Sequence, residues 1–163
     1  MNSVMAYLGL GSNLEDRQEN LNKALEYLEQ RFRLGLRSSI YDTAPVGVPD
    51  QPRFLNMVCQ VFTMLSPAGL LAAAKGIELK LGRLPCKHGA PRPIDIDILF
   101  YDDKVVETPD LVIPHPRIAE RAFVLVPLAE IAPDFVHPVK GKTIKELLQA
   151  VDKTQSVVRW GKG

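Results

Sequence analysis

Residues 92–101 alternate apolar with acidic side chains, and this stretch constrains the fold more than any other. The alternation predicts a β-strand, because successive side chains of a strand point to opposite faces. One face is predicted to carry Ile94, Ile96, Ile98 and Phe100. The opposite face is predicted to carry Asp95, Asp97, Leu99 and Tyr101. The run is apolar enough for a central strand, where an unpaired charge is costly.

The two carboxylates of this strand are the first candidate functional groups. Asp95 and Asp97 would lie about 6.5 Å apart along one face, from a rise of roughly 3.3 Å per residue. Like charges at that separation repel each other unless a positive group lies between them. Mg²⁺ takes one or two carboxylates together with substrate phosphates, and Arg92 adds a positive charge just upstream. The pattern favours metal-bound phosphate chemistry, and a solvated strand face is the alternative.

Composition limits the class of protein. The 163 residues are 46% hydrophobic and 24% charged with a net charge of +1, as in an ordinary globular domain. We therefore expect one domain over residues 1–163 and no nucleic-acid partner. A monomer is also expected, although composition does not determine the oligomeric state. Two cysteines without CxxC spacing, no secretory signal and no run of roughly 20 apolar residues predict a cytoplasmic protein without a membrane span.

Basic residues are nevertheless concentrated in one third of the chain, which indicates a local anionic ligand. They are Arg83, Lys87, His88, Arg92, His115, Arg117 and Arg121. Residues 82–93 are basic and rich in proline and glycine, which predicts a loop that either closes over a polyphosphate or is merely a surface loop.

Periodicity predicts alternating strands and helices. Strands are predicted over residues 4–10, 37–41, 54–63 and 92–101. A helix containing Leu21 and Leu28 should follow the first strand, capped by Ser12 or Asn13. A second should begin at Ser66-Pro67 and stop at Gly82. The order through residue 101 is βαββαβ, which predicts an α+β fold with a ferredoxin-like sheet.

The remaining residues are predicted to form a C-terminal extension packed on that core. It should contain a short strand at 104–106, a short helix at 118–121, a strand-like run at 122–128 and a helical turn at 129–133. The sequence Thr143-x-x-Glu146 is a capping box that opens a final helix.

Two polar residues interrupt apolar patterns. Asn56 lies within a predicted strand, so its amide should bond to backbone or to a ligand, with backbone slightly favoured. Glu78 borders the buried stripe of the second helix, either as a rim charge or as a carboxylate directed at the site. Gly9-Leu-Gly-Ser-Asn13 looks superficially like a phosphate loop, but it matches neither GxGxxG nor a Walker A sequence, so a tight turn with a helix cap is the favoured interpretation.

Six segments together resemble one family. They are Gly9–Asn13, Thr43–Gly47 with Asp50-Gln-Pro, Phe54–Asn56, Ile77–Arg83, Gly89–Asp97, and Ile113–His115 through Arg121–Phe123. In this order and spacing they resemble 6-hydroxymethyl-7,8-dihydropterin pyrophosphokinases of the folate pathway, over about residues 6–134.

The resemblance implies transfer of diphosphate from ATP to the hydroxymethyl group of the pterin, releasing AMP. It implies that Asp95 and Asp97 are ligands of two Mg²⁺ ions and that Arg83 and Arg92 hold phosphate oxygens. The further ATP contacts that it implies are Leu71, Glu78, Ile98, His115 and Arg121. The pterin pocket that it implies consists of Thr43, Pro45, Val46, Phe54, Asn56 and Phe123.

Two other functions fit parts of the pattern. A ferredoxin-like module could bind single-stranded RNA, but it would need exposed aromatic residues and a basic sheet face. A different Mg-dependent nucleotidyl- or phosphotransferase could use the same two aspartates. Product analysis distinguishes such a transferase from a pyrophosphokinase, since AMP release is diagnostic of pyrophosphoryl transfer.

Overall fold

A computed structural model describes residues 3–13, 16–44, 53–82 and 93–161. The main sheet consists of β1 (Val4–Ser12), β2 (Arg33–Arg37), β3 (Tyr41–Thr43), β4 (Phe54–Thr63), β5 (Asp95–Tyr101) and β8 (Val157–Arg159). A separate hairpin pairs β6 (Val106–Glu107) with β7 (Val112–Ile113). The helices are α1 (Arg17–Arg31), α2 (Pro67–Lys80), α3 (Ala122–Ile131) and α4 (Ile144–Ala150), with a 3-10 helix at Ile118–Glu120.

The sheet is antiparallel in the order β5–β1–β4–β3–β8, and β2 also pairs with β4. The first six elements of the chain run β-α-β-β-α-β if β2 and β3 are taken as one interrupted strand. The predicted α+β, ferredoxin-like fold with a C-terminal extension is confirmed.

Apolar side chains cover both faces of the sheet. One core lies between the sheet and helices α1 and α2, and it includes Leu8, Leu28 and Leu70. A second core lies on the opposite face beneath α3 and α4, and it includes Tyr7, Leu125 and Leu147. Within the described ranges, no helix has both the length and the apolar character needed to cross a bilayer.

Several boundaries follow from local caps. Ser66 Oγ accepts a hydrogen bond of 3.1 Å from the Gly69 amide, and Pro67 begins α2, as predicted. The capping box between Thr143 and Glu146 is also confirmed. The predicted cap of α1 is wrong, because β1 continues through Ser12 and Asp16 is the N-cap.

Two predictions about strands are corrected, and one strand was not predicted. The predicted strand at 37–41 is divided into β2 and β3, with residues 38–40 between them. The run at 122–128 belongs to helix α3, which is apolar on nearly all sides because it is buried. Strand β8 (Val157–Arg159) was not predicted from the sequence; it is three residues long, and among the described strands it pairs with β3 alone, more than 110 residues earlier.

The face assignment of β5 is correct up to Leu99 and wrong beyond it. Ile98 lies opposite Leu8 and Phe100 lies opposite Tyr7, so Leu99 is an extra residue in the β1–β5 register. Such a bulge reverses the faces of the residues after it. Phe100 therefore packs with Tyr7 beneath α3, whereas Tyr101 joins the core on the α1 and α2 side.

Candidate functional site

A cavity of about 620 Å³ opens on the sheet face that is covered by α3 and α4. Its volume is within the range of small-molecule sites. Strands β1, β3, β4 and β5 form its floor, and the start of α3 and the residues after α4 form its walls. Seven of the predicted site residues line it: Thr43, Phe54, Asn56, Asp95, Asp97, Arg121 and Phe123.

Asp95 and Asp97 lie on the cavity face of β5, as the alternation predicted. In the register with β1, Asp95 lies opposite Gly11 and Asp97 lies opposite Gly9. Asp95 is half-buried and Asp97 is exposed. Because directly opposed residues share a face of the sheet, two glycines beside two aspartates leave the space above β1 open.

The amide of Asn56 lies beside this space. Its Nδ2 donates a hydrogen bond of 2.6 Å to Oγ1 of Thr43, and both side chains are buried. We expected the Asn56 amide to bond to backbone, but its hydrogen bond goes to the side-chain hydroxyl of Thr43. A methyl group on Gly11 would lie 2.7 Å from Asn56 Oδ1 and 3.5 Å from Cδ1 of Phe54. The amide oxygen can occupy this position only because residue 11 has no side chain.

Arg121 supplies positive charge to the same cavity. Burial lowers the pKa of its guanidinium, while the carboxylates of Asp97 and Asp95 act in the opposite direction. Its Cζ lies 5.3 Å from the centroid of the Phe123 ring. The cavity therefore combines two carboxylates, a guanidinium and aromatic surface, which are suited to a charged and partly flat ligand.

His115 lies near this site but does not line the cavity. Its backbone amide donates to the Leu99 carbonyl at 3.1 Å, and its Nδ1 accepts from the Arg117 amide at 3.3 Å. Burial, followed by the positive charges of Arg121 and Arg117, lowers the pKa of His115 to about 4. The imidazole is therefore neutral at pH 7 with its proton on Nε2, which is available as a donor.

Leu71, Glu78 and Ile98 are not among the residues that line the cavity. Ile98 is 4% exposed within the core under α1 and α2, and Leu71 packs against that core. Glu78 is buried in α2, where its Oε2 accepts a hydrogen bond of 2.8 Å from the Ile96 amide. That amide belongs to the residue between the two aspartates, so Glu78 holds the strand that carries them.

The remaining predicted site residues, Pro45, Val46, Arg83 and Arg92, lie outside the described residues. Sequence reasoning missed Gly9, Gly11 and Gln155, which line the cavity. The sequence did indicate the two glycines, since they are two residues apart in an apolar strand and therefore share one face. It gave no indication of Gln155, because the hydrogen-bond partners of this residue lie more than thirty positions away in the sequence.

Magnesium fits this donor set. Over the described ranges, no group of three or more His, Cys, Asp or Glu side chains could hold a metal ion. Two carboxylates facing one cavity match Mg²⁺, which usually completes its octahedron with water and substrate phosphates. They match a zinc or calcium site poorly, since such sites draw more of their ligands from the protein.

Comparison with known proteins identifies the family. Residues 7–133 match the family model described as 7,8-dihydro-6-hydroxymethylpterin-pyrophosphokinase. A 2-amino-4-hydroxy-6-hydroxymethyldihydropteridine pyrophosphokinase of Methylorubrum extorquens is 47% identical over 149 residues, which cover 90% of this chain and 93% of the relative. The Bacillus subtilis protein of the same name is 46% identical, over 80% of this chain and 79% of its own length.

Longer proteins also contain a region similar to this chain. The folic acid synthesis protein fol1 of Schizosaccharomyces pombe is 43% identical over 93% of this chain, which spans 21% of that protein. A crystal structure of the Plasmodium falciparum HPPK-DHPS protein superposes with a TM-score of 0.74, covering 91% of this chain and 45% of that one. At 17% identity, this superposition supports the fold alone. On the family match and the close relatives, the chain belongs to the 7,8-dihydro-6-hydroxymethylpterin-pyrophosphokinase family and is an enzyme that transfers pyrophosphate.

Proposed function

We propose that Asp95 and Asp97 hold two Mg²⁺ ions in the cavity, where this enzyme transfers diphosphate from ATP to 6-hydroxymethyl-7,8-dihydropterin. The reaction is that of the family, and the pterin diphosphate and AMP are its products. The observation that carries the proposal is the shared cavity face of the two carboxylates, opposite Gly9 and Gly11. Bound magnesium would supply charge neutralisation to the phosphates and would align the attacking hydroxyl.

The pterin is proposed to bind at the end of the cavity formed by β3, β4 and the start of α3. Asn56 is fixed by its bond to Thr43, so its Oδ1 is presented over Gly11 as an acceptor for a ring N–H group. Phe54 and Phe123 both line the cavity and offer faces for a flat heterocycle. Pro45 and Val46 stay predicted members of this pocket.

ATP is proposed to bind on the β5 side, with its phosphates near Asp95 and Asp97. Arg121 lines the same cavity as these carboxylates, interacts with them electrostatically, and can hold phosphate oxygens through planar N–H donors. His115, neutral with its proton on Nε2, can donate one hydrogen bond. Arg83 and Arg92 stay predicted phosphate ligands, and Leu71 and Ile98 stay predicted contacts of the adenine end.

Glu78 is proposed to act on ATP binding indirectly. Its carboxylate accepts from the Ile96 amide and is only 5% exposed, which favours a role in holding β5 over direct contact with the nucleotide. The positions of Asp95 and Asp97 on either side of Ile96 would then depend on α2.

We also propose that residues 1–163 act as one domain, as a monomer and in the cytoplasm. Strand β8 completes the sheet beside β3, which supports one folding unit over the described ranges. The net charge of +1 and the acidic cavity floor disfavour a nucleic-acid partner. Sedimentation of the purified chain tests the monomer, with a dimer as the contrary result.

The direct test of the function is an assay that contains ATP and 6-hydroxymethyl-7,8-dihydropterin. We expect AMP and the pterin diphosphate in equal amounts with Mg²⁺, and neither product when the metal is chelated. Release of ADP would indicate single phosphoryl transfer, and release of free diphosphate would indicate nucleotidyl transfer. Either outcome would reject the proposal in favour of a different transferase.

A further inference from the structure

Gln155 connects two separate pieces of backbone beside the cavity. Its Oε1 accepts a hydrogen bond of 2.9 Å from the Ala122 amide, and its Nε2 donates one of 2.8 Å to the Glu120 carbonyl. One side-chain amide thus holds the residues immediately before and after Arg121. Gln155 lies 22 residues beyond position 133, where the family match ends.

The junction that Gln155 holds has no cap of its own. Arg121 is the N-cap of α3, but its side chain makes no capping hydrogen bond, and its backbone is extended (φ −115°, ψ 98°). The 3-10 helix ends at Glu120, just before this residue. Helix ends leave amides and carbonyls without partners inside the helix. Gln155 bonds to one such amide, that of Ala122, and to one such carbonyl, that of Glu120. It therefore replaces the local cap that Arg121 does not provide.

The segment that carries Gln155 is itself anchored beside β3, at the floor of the cavity. The Ala44 amide donates to the Ser156 carbonyl at 3.2 Å, and Nη2 of Arg53 donates to Ser156 Oγ at 3.1 Å. Strand β8 begins at the next residue and pairs with β3, with Val157 opposite Thr43. The strand that carries Thr43 and the backbone that carries Arg121 are therefore joined through residues 155 and 156.

We propose that Gln155 is a positioning residue of the pyrophosphokinase, which fixes the direction of Arg121 across the cavity toward Asp95 and Asp97. Both polar atoms of its amide are engaged by backbone, so Gln155 acts through Arg121 and not as a ligand of the substrate. This inference rests on the proposed function of Arg121 as a phosphate contact. The residue belongs to the C-terminal extension, which is thereby part of the active-site framework.

The test is a double-mutant cycle between Gln155→Met and Arg121→Ala, read as kcat/KM for ATP from AMP release. Methionine has nearly the same length as glutamine but makes neither hydrogen bond. We expect Gln155→Met alone to lower kcat/KM by about tenfold to a hundredfold, because small displacements of a positioned group are costly. In the Arg121→Ala background, the same substitution should cost less than twofold.

Gln149→Met is the matched control, because Gln149 is exposed on α4 and does not line the cavity. It should leave kcat/KM unchanged. Wild-type kcat/KM in Gln155→Met would overturn the proposal, as would an equal loss in both backgrounds. If Gln155→Met unfolds below the assay temperature, the cycle is run with Gln155→Glu, which keeps the acceptor for the Ala122 amide and loses the donor.

Failure of this inference can be told apart from failure of the proposed function. Absence of AMP from the wild-type reaction would reject the function. The cycle would then be read from the Kd for ATP measured by calorimetry with Mg²⁺ present. Additive changes in Kd would overturn the role of Gln155, and a coupled change would support it, whatever product the enzyme releases.

Discussion

The missing side chain at Gly11 determines how close Asn56 can lie to β1. The amide oxygen would be 2.7 Å from a Cβ at this position, closer than real Cβ contacts allow. Asn56 cannot simply turn away, since its Nδ2 is bonded to Thr43. A single methyl group would therefore displace the group that we propose recognises the pterin.

We expect Gly11→Ala to weaken binding of the pterin by about tenfold or more, the loss expected for one well-placed hydrogen bond. Calorimetry with 6-hydroxymethyl-7,8-dihydropterin measures this directly. Gly76→Ala is the control, because a Cβ there meets no atom within 4 Å. Pterin affinity equal to wild type in Gly11→Ala would refute the assignment of Asn56.

We expect Asp97→Asn to lower kcat by about a thousandfold, equivalent to roughly 4 kcal/mol of activation free energy. The amide keeps the shape of the side chain but loses the negative charge that would hold magnesium. Asp103→Asn, at an exposed turn, should have no effect. Thermal unfolding of both variants should match wild type, and a wild-type kcat in Asp97→Asn would exclude the metal role.

Local strand alternation accounts for which of the proposed site residues share a face of the sheet. Asp95 and Asp97 share a face because a strand alternates, and Phe54 and Asn56 share one for the same reason. The same rule holds for Gly9 and Gly11. It was not applied to them, because the motif that contains them was interpreted as a turn. Gln155 could not be predicted, because its partners are 33 and 35 residues away.

At the scale of elements, local caps and periodicity predicted several boundaries, although not the cap of α1. Strand β4 and the start of α2 were predicted at their observed bounds. The first part of helix α3 was missed because residues 122–128 are all apolar and include Pro127, so no helical period was visible. The bulge at Leu99 reversed Phe100 and Tyr101, since a register shift leaves no trace in the alternation of one strand.

Contact between α2 and β5 gives a prediction at this scale. Glu78→Ala removes the acceptor of the buried Ile96 amide, and an unpaired buried donor costs about 1–3 kcal/mol. Glu78→Gln keeps a side-chain oxygen at that position and should lose clearly less stability. Urea denaturation compares the two variants. Equal losses would show that the hydrogen bond to Ile96 is not what holds the strand.

At the scale of the whole molecule, stability should depend on pH through the histidines. The pKa of His115 is lowered to about 4 from 6.5 by burial and by the neighbouring charges of Arg121 and Arg117, and burial also lowers that of His137. Between pH 4 and pH 6.5 the unfolded chain therefore binds more protons than the folded one. The stabilisation is therefore complete above pH 6.5 and is lost as the pH falls toward 4.

We expect the free energy of unfolding to fall between pH 7 and pH 4, and His115→Gln to show a smaller fall. The pKa shift of His115 sets an upper limit of about 3 kcal/mol on the difference between the two falls. We expect a smaller difference, because the imidazole is partly exposed and solvent screens its charge. Urea denaturation at a series of pH values measures it. Parallel curves for the two proteins would contradict the assignment of a neutral, partly buried imidazole.

The most direct measurement for the whole account is a crystal structure with Mg²⁺, a non-hydrolysable ATP analogue and 6-hydroxymethyl-7,8-dihydropterin. We predict magnesium about 2.1 Å from carboxylate oxygens of both Asp95 and Asp97, with the analogue's phosphates on the other side of the metal. The pterin should lie between Phe54 and Phe123. Nucleotide bound elsewhere, with both aspartates free of metal, would contradict the central claim.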